Sequence, residues 1–167
     1  MTTKALVVRS MTAADVAMIS VIEKEVFSDP WPTSAFRELL GVANRVNLVM
    51  EIAGEIVGYV LAQCVADEVQ IQNIAVRQAW QRRGFGAILL RRAEEEGQVH
   101  GALCSILDVR AQNVAALALY ERFGYRMIGR RRSYYQRPED DALILFRRLD
   151  LAPGATPTQD RDDGMVS

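Results

Sequence analysis

Histidine and cysteine are almost missing from this chain: one histidine, His100, and two cysteines, Cys64 and Cys104, among 167 residues. A Cys/His metal centre would have to rest on that one imidazole, and the two thiols have neither the paired spacing of a zinc site nor the density of a disulfide scaffold. Both cysteines lie in apolar, strand-like runs and read as buried thiols. His100, in Gln98-Val99-His100-Gly101 after a charged segment, reads as a solvated helix end, and no metal is expected. An excess of one charge is missing too: 20 Lys and Arg stand against 21 Asp and Glu, a net charge of -1. That balance gives no footing for direct nucleic-acid binding or for an anionic membrane surface. Nor is there an apolar run of the roughly 20 residues that would span a bilayer, or an apolar signal core behind Met1-Thr2-Thr3-Lys4. Cytoplasmic residence is the expectation.

What is present is the composition of a globular chain, 50% hydrophobic and 25% charged, enough to form one core. One domain is expected over residues 1–151. Beyond it, residues 152–167 carry Pro, Gly and charge without periodicity and are expected to form a flexible tail.

The pattern along the chain alternates between two periods. A short strand over 5–9 leads to Thr12-Ala13-Ala14-Asp15, a capping box for a helix. That helix carries Val16, Ile19, Ile22, Glu23 and Val26 as a mostly apolar stripe. Asp29-Pro30-Trp31-Pro32 ends it, and Thr33 is placed to cap a short helix through Leu40. Strands over 46–53 and 56–65, joined at Gly54-Glu55, form a hairpin, and a turn at Asp67-Glu68 leads to a third strand over 69–76. A helix over 84–98 puts Ile88, Leu89 and Ala93 on one face and Arg91, Arg92, Glu94, Glu95 and Glu96 towards water. The strand over 102–109 is nearly all apolar, as a strand covered on both faces should be. Because a helix separates it from the strand ending at Val76, the two should run parallel through a right-handed crossover. A helix over 113–123 stops at Gly124, and strands over 125–135 and 142–149 close the sheet as a hairpin. The fold class is α/β in the α+β sense: a mixed, mostly antiparallel sheet of about six to seven strands with about four flanking helices.

Gln81-Arg82-Arg83-Gly84-Phe85-Gly86 joins a strand to a helix. Such a turn exposes main-chain amides at the positive end of the helix dipole, which suits a pyrophosphate, and Arg82 and Arg83 add charge there. It lacks the Gly-Lys-Ser/Thr of a Walker loop, and it lacks the third glycine of a dinucleotide fingerprint.

This turn, the strand before it and the later Asn113-x6-Tyr120 resemble the acyl-CoA core of the GNAT acetyltransferase superfamily. More narrowly, Asn73-Ile74-Ala75-Val76, Gln81 to Gly86, Val109-Arg110-Ala111-Gln112-Asn113 and Ala118-Leu119-Tyr120-Glu121 resemble the RimI-type ribosomal-protein alanine N-acetyltransferases. Phe27, Pro30-Trp31, Asp67-Glu68 and Arg131-Arg132-Ser133-Tyr134-Tyr135 extend the likeness over about residues 5–150. The resemblance implies acetyl-CoA as co-substrate and a splayed, parallel central strand pair that admits its pantetheine arm. Ile74, Ala75 and Val76 would bond the arm through their backbones, while Arg82, Arg83, Gly84, Phe85, Gly86 and Ala87 wrap the pyrophosphate. Asn113 would touch the cofactor, serve as a helix N-cap, or do both.

No protein nucleophile is needed: an amine attacks a thioester directly, and the chain must manage two protons. In the family a tyrosine on the last core helix protonates the departing sulfur. Tyr120 occupies that place, against the alternative of a core aromatic spaced with Leu117 and Phe123. The family's base is a glutamate in Leu-Glu-Val-Arg, whereas this chain reads Leu107-Asp108-Val109-Arg110. Asp108 can take the amine's proton through a bridging water, or it can be structural, pairing with Arg110 or a turn amide. Glu68 and Tyr134 are reserve candidates near the acceptor, and Trp31 either lines the peptide groove or pins a loop. Arg130, Arg131, Arg132 and Arg137 form a basic cluster that reads as a solvated strand face or as a lure for an acidic partner.

The acceptor implied by the resemblance is the N-terminal alanine of a small-subunit ribosomal protein. Other protein N-termini, lysines or a small amine remain open, as does a non-catalytic acyl-CoA-binding module, since the core motif recognises the donor and not the acceptor.

Overall fold

Two-residue turns set the register of the first half of the sheet. Strand β2 (Arg45–Ile52) meets β3 (Glu55–Val65) with Ile52 opposite Glu55, leaving Ala53 and Gly54 as the loop, both left-handed at φ 52° and 80°. Positive φ at both central residues makes the turn whose twist matches that of the flanking strands. A second tight turn, with Ala66 at φ 52°, leads to β4 (Glu68–Val76), where Val65 faces Glu68. It therefore falls one residue before the expected Asp67-Glu68.

The computed structural model describes residues 5–149, so the tail expected over 152–167 and the domain's two ends lie outside the described residues. Strand β1 (Leu6–Ser10) pairs antiparallel with β2. Its end runs into a 3-10 turn, Ala13–Asp15, where the Asp15 carboxylate accepts the Thr12 N–H at 2.7 Å, the expected capping contact. Helices α1 (Val16–Val26) and α2 (Thr33–Glu38) follow. Pro32, not Thr33, caps α2, and the Thr33 hydroxyl shares a 2.6 Å hydrogen bond with Ser20 Oγ on α1. After β4 come α3 (Phe85–Val99), β5 (Cys104–Arg110), α4 (Val114–Arg122), β6 (Arg126–Gln136) and β7 (Glu139–Arg148).

The sheet has seven strands in the order β1-β2-β3-β4-β5-β7-β6, antiparallel throughout except for the parallel pair β4/β5. Two apolar cores sandwich it. Ile19, Ile22 and Phe36 of α1 and α2 pack with Val49, Tyr59, Leu61 and Ala75 on one face. On the other face, Leu89, Leu90 and Ala93 of α3, with Tyr120 and Phe123 at the end of α4, cover Val57, Val60, Val69, Ile71 and Leu107. Among the described residues no helix is long and apolar enough to cross a membrane.

Two expectations for α3 are corrected. Ile88 is exposed, and Leu90 takes its place beside Leu89 and Ala93 in the core. Glu94, read as facing water, is buried, because its position falls on the same helical face as Leu90 and Gly97. It accepts the Tyr125 hydroxyl at 2.5 Å and pairs with the Arg147 guanidinium, and Tyr125 is also bonded to Ser105 Oγ at 2.7 Å. Burial raises the Glu94 carboxyl above its ordinary value despite Tyr125 and Arg147. Cys64 is buried as expected, but Cys104 is only half-buried.

Candidate active site

The parallel ladder between β4 and β5 is short: it runs from Glu68/Cys104 to Ile71/Leu107 and stops. Strand β4 goes on to Val76 and β5 to Arg110, so their C-terminal ends part. Past Ile71 the main-chain groups of β4 on the β5 side have no strand partner, and such groups call for one from elsewhere. A bulge prepares this stretch: Leu61 faces Asn73 and Ala62 faces Ile71, which leaves Gln72 unmatched. One extra residue reverses the alternation of side chains. Val69 and Ile71 face α3, whereas Asn73 and Ala75 turn to the α1 face.

Where β4 ends, the Gln81 side chain donates to the Val76 carbonyl at 2.9 Å. The chain then turns through two left-handed residues, Arg82 at φ 61° and Gly84 at φ 82°. A non-glycine residue held there costs about 1 kcal/mol, and alternating handedness in this way curls main-chain amides into an anion-binding hollow. Gly84 is the N-cap of α3, so the free amides of the helix's first turn open onto the same place. A Cβ on Gly84 would meet nothing within 4 Å. Arg82 is exposed, and the Arg83 guanidinium lies 5.1 Å from the centre of the Trp80 ring. That ring also packs against Phe85.

Across the opening, Asn113 caps α4, its Oδ1 accepting the Ala116 N–H at 3.2 Å. Tyr120 is 5% exposed and its ring meets Tyr125 edge-on at 5.6 Å. Burial, and then the neighbouring Tyr135, push its hydroxyl above the ordinary tyrosine value, so it stays a donor. On β5, Leu107 and Val109 face the α3 and α4 side, which turns Asp108 to the opposite face. The Asp108 carboxylate is paired with Arg131 at 3.8 Å. Arg110, one of the two partners that a structural role for Asp108 would have used, instead donates to the Pro138 carbonyl at 2.8 Å and lies 4.2 Å from the Tyr135 ring centre. Tyr135 is raised above the ordinary tyrosine value first by burial and then by Asp108.

The mouth on the α1 side is built on Glu23, which is 1% exposed. Its carboxylate accepts the Tyr59 hydroxyl, Asn73 Nδ2 at 2.7 Å and the Trp31 main-chain N–H at 3.1 Å. Burial, reinforced by Glu23, drives the Tyr59 phenol far up. The Trp31 ring stacks on Phe36 at 5.9 Å. Outside it, Ser28 Oγ donates to the Arg137 carbonyl at 2.6 Å, tying the loop after α1 to the tip of the β6/β7 hairpin. A parting strand pair, a turn with free amides beside it and a loop tied to the hairpin tip thus lie along β4.

The model of the acetyltransferase (GNAT) family matches residues 16–125. The chain belongs to the GNAT acetyltransferase family. Among the proteins it resembles, the ribosomal protein bS18-alanine N-acetyltransferase of Escherichia coli (strain K12) is 32% identical over 146 residues, covering 86% of this chain and 98% of that protein. The N-alpha-acetyltransferase RimI of Mycobacterium tuberculosis (strain H37Rv) is 32% identical over 151 residues, covering 87% and 94%. The crystal structure of the Escherichia coli ribosomal-protein-S18-alanine N-acetyltransferase superposes with a TM-score of 0.81 at 29% identity, over 92% of this chain and 100% of that one. The fold is also that of Arabidopsis thaliana NAA60 solved with acetyl-CoA, at a TM-score of 0.78 and 17% identity, over 87% and 100%. This GNAT chain is an N-acetyltransferase.

Of the residues singled out from the GNAT pattern, Ile74, Ala75, Val76, the 82–87 turn, Asn113 and Tyr120 gather on the two lips of the opening and its hollow. Asp108 and Tyr134 both contact the Arg131 guanidinium, Tyr134 being 49% exposed, whereas Trp31 is bonded to Glu23 through its main-chain N–H. Glu68 does not join them, since it opens β4 opposite Cys104, about 15 Å of strand from Asn73. Arg130 is tied to Asp141 at 2.6 Å, as a residue on a solvated strand face can be. Glu23 and Tyr135 were missed. The signal for Glu23 was a carboxylate inside an apolar helical stripe. For Tyr135 there was only its neighbour Tyr134.

Proposed function

We propose that this N-acetyltransferase takes its acetyl group from acetyl-CoA and places it on the N-terminal amine of a protein, with the N-terminal alanine of ribosomal protein bS18 as the acceptor. The observation that carries the reading is the roofed mouth, where Ser28 of the α1 loop is bonded to Arg137 of the β6/β7 hairpin. A loop and a hairpin tip tied in this way suit the recognition of a chain end held between them. The kinship with two N-terminal acetyltransferases supports the same acceptor class.

The residues present fit the donor. The β5-facing main-chain groups of β4 between Ile74 and Val76, which have no strand partner on that side, suit an amide-bearing arm, and the amides of 84–87 with Arg82 and Arg83 suit a diphosphate. Gly86 has room for a Cβ beside Leu119 at 3.6 Å, so the protein's own packing does not demand glycine there. Asn113, the N-cap of α4, would meet the same ligand from that helix. Acetyl-CoA would supply an acetyl group activated as a thioester. Asp108 then accepts a proton from the incoming amine, through a bridging water where its shorter arm falls short. Tyr120 Oη, kept protonated by burial, gives its proton to the sulfur as the C–S bond breaks and the C–N bond forms. Tyr134 and Trp31 line the path of the acceptor.

The test is mass measurement of bS18 and of a panel of N-terminal, lysine and small-amine substrates after incubation with acetyl-CoA. One acetyl on the N-terminal alanine is expected. Acetylation confined to lysine or to small amines would overturn the acceptor, and acetyl-CoA binding without transfer to any amine would leave only a binding module.

A further inference from the structure

We propose that Glu23 is a positioning residue for the acceptor: it clamps the loop carrying Ser28 and Trp31 against β4 where that strand leaves β5. This rests on the N-terminal acceptor reading above. Position 23 belongs to a helical stripe in which Val16, Ile19 and Ile22 are 2%, 0% and 0% exposed and Val26 is partly buried. An aliphatic residue would fill it, and a buried carboxylate contributes little to stability over such a residue. The partners of Glu23 are neutral donors: a phenol, an amide and a main-chain N–H. They come from three separate places, β3, β4 and the loop before α2. Asn73 follows the bulge at Gln72 and precedes Ile74, so the residue turned towards Glu23 is the one at the edge of the opening. The Trp31 amide fixes the other end, and Ser28 ties the same loop to the hairpin tip. One carboxylate thus relates the acceptor loop to the strand that the donor would lie along.

Glu23→Gln is the discriminating variant. It keeps the shape but leaves one oxygen to accept three donors, so the Trp31 N–H or Asn73 must lose its bond. The expected result is a rise of about tenfold in KM for an N-terminal peptide, the size of one lost hydrogen bond to a charged group. The Kd for acetyl-CoA should stay within about twofold, since no donor-binding group is touched. Hydrogen exchange at the Trp31 amide should speed up in the same variant. If peptide KM and Trp31 exchange are both unchanged, whatever the Tm does, the clamp is wrong. Should Glu23→Gln not fold, Tyr59→Phe removes one donor with little change of volume: faster Trp31 exchange supports the clamp, and unchanged exchange overturns it. Wild-type protein that acetylates no N-terminal peptide sinks the acceptor reading, while the exchange measurement still decides the clamp by itself.

Discussion

The donor side of the site is drawn from one continuous stretch, β4 through the 81–87 turn into α3, with α4 added. The proposed acceptor side is gathered from α1, the loop behind it, β5 and the hairpin tip, segments joined by contacts such as Ser28 to Arg137 and the Trp31 N–H to Glu23. The first is held by main-chain geometry: a short ladder, a bulge, two left-handed residues and a helix start. The second is held by side chains. Damage on the donor side should therefore appear as lost stability or lost acetyl-CoA affinity, and damage on the acceptor side as weaker peptide binding. Only the proton-handling groups should act on turnover alone.

The largest expected effect tests that last statement. Tyr120→Phe keeps the ring that packs on Tyr125 and removes the proton. We expect kcat to fall by about 10²- to 10⁴-fold, the usual worth of general acid assistance, with acetyl-CoA binding by calorimetry unchanged. Because burial raises the phenol above its ordinary value near 10, wild-type kcat should show no alkaline loss from this group up to about pH 10. Equal loss of binding and turnover would mean that Tyr120 belongs to the packing of the donor side.

Asp108→Ala comes next, with an expected fall of about 10- to 100-fold in kcat/KM at pH 7. The sign of the pH dependence is fixed by the acceptor, whose α-amine has a pKa of about 7.7 to 8.0. Below that range a proton must be removed and the base matters. Above it the amine is already neutral, and the gap to wild type should narrow. A gap constant from pH 6 to 9 would mark Asp108 as a partner of Arg131 and nothing more.

Gly97→Ala strikes the donor side from behind. Helix α3 lies so close on β4 that a Cβ at 97 would sit 2.7 Å from Val69 Cβ, and overpacking of this kind costs about 1 to 3 kcal/mol. Thermal unfolding should come several degrees lower, with peptide KM unmoved. A peptide KM that shifted with it would mean that the two sides are mechanically one.

The same contrast explains which features could be read in advance. The Gln81 to Gly86 turn, the Asn113 cap and the order of strands and helices follow from local spacing, and each stands where local spacing puts it. Glu23 and Glu94 break their helices' polarity patterns only because of partners far along the chain. Glu94 reads as a water-facing residue in the sequence because nothing nearby announces Tyr125 or Arg147. The bulge at Gln72 has no local signature, so the turn of Asn73 towards α1 could not be seen. In β6, pairing slips between Arg131 and Tyr135, with Ser133 left-handed at φ 49°. Beyond that slip Tyr135 is half-buried with Arg110 over its ring, while Tyr134 stays exposed under Arg131.

The smallest expected effect is the sharpest on the acceptor side. Ser28→Ala removes one exposed hydrogen bond, to the Arg137 carbonyl, which is worth about 0.5 to 1.5 kcal/mol. Peptide KM should rise a few-fold, because the hairpin tip keeps its second tie, Arg110 to the Pro138 carbonyl at 2.8 Å. Acetyl-CoA affinity should stay put, since the 81–87 hollow does not touch this bond, and Tm should fall by no more than a few degrees. Steady-state kinetics with a free alanyl peptide and with a small amine separate the outcomes. A roof that guides a chain end penalises the peptide only, whereas equal penalties would place the Ser28 contact in the general packing of the loop and remove the roof as a specificity device.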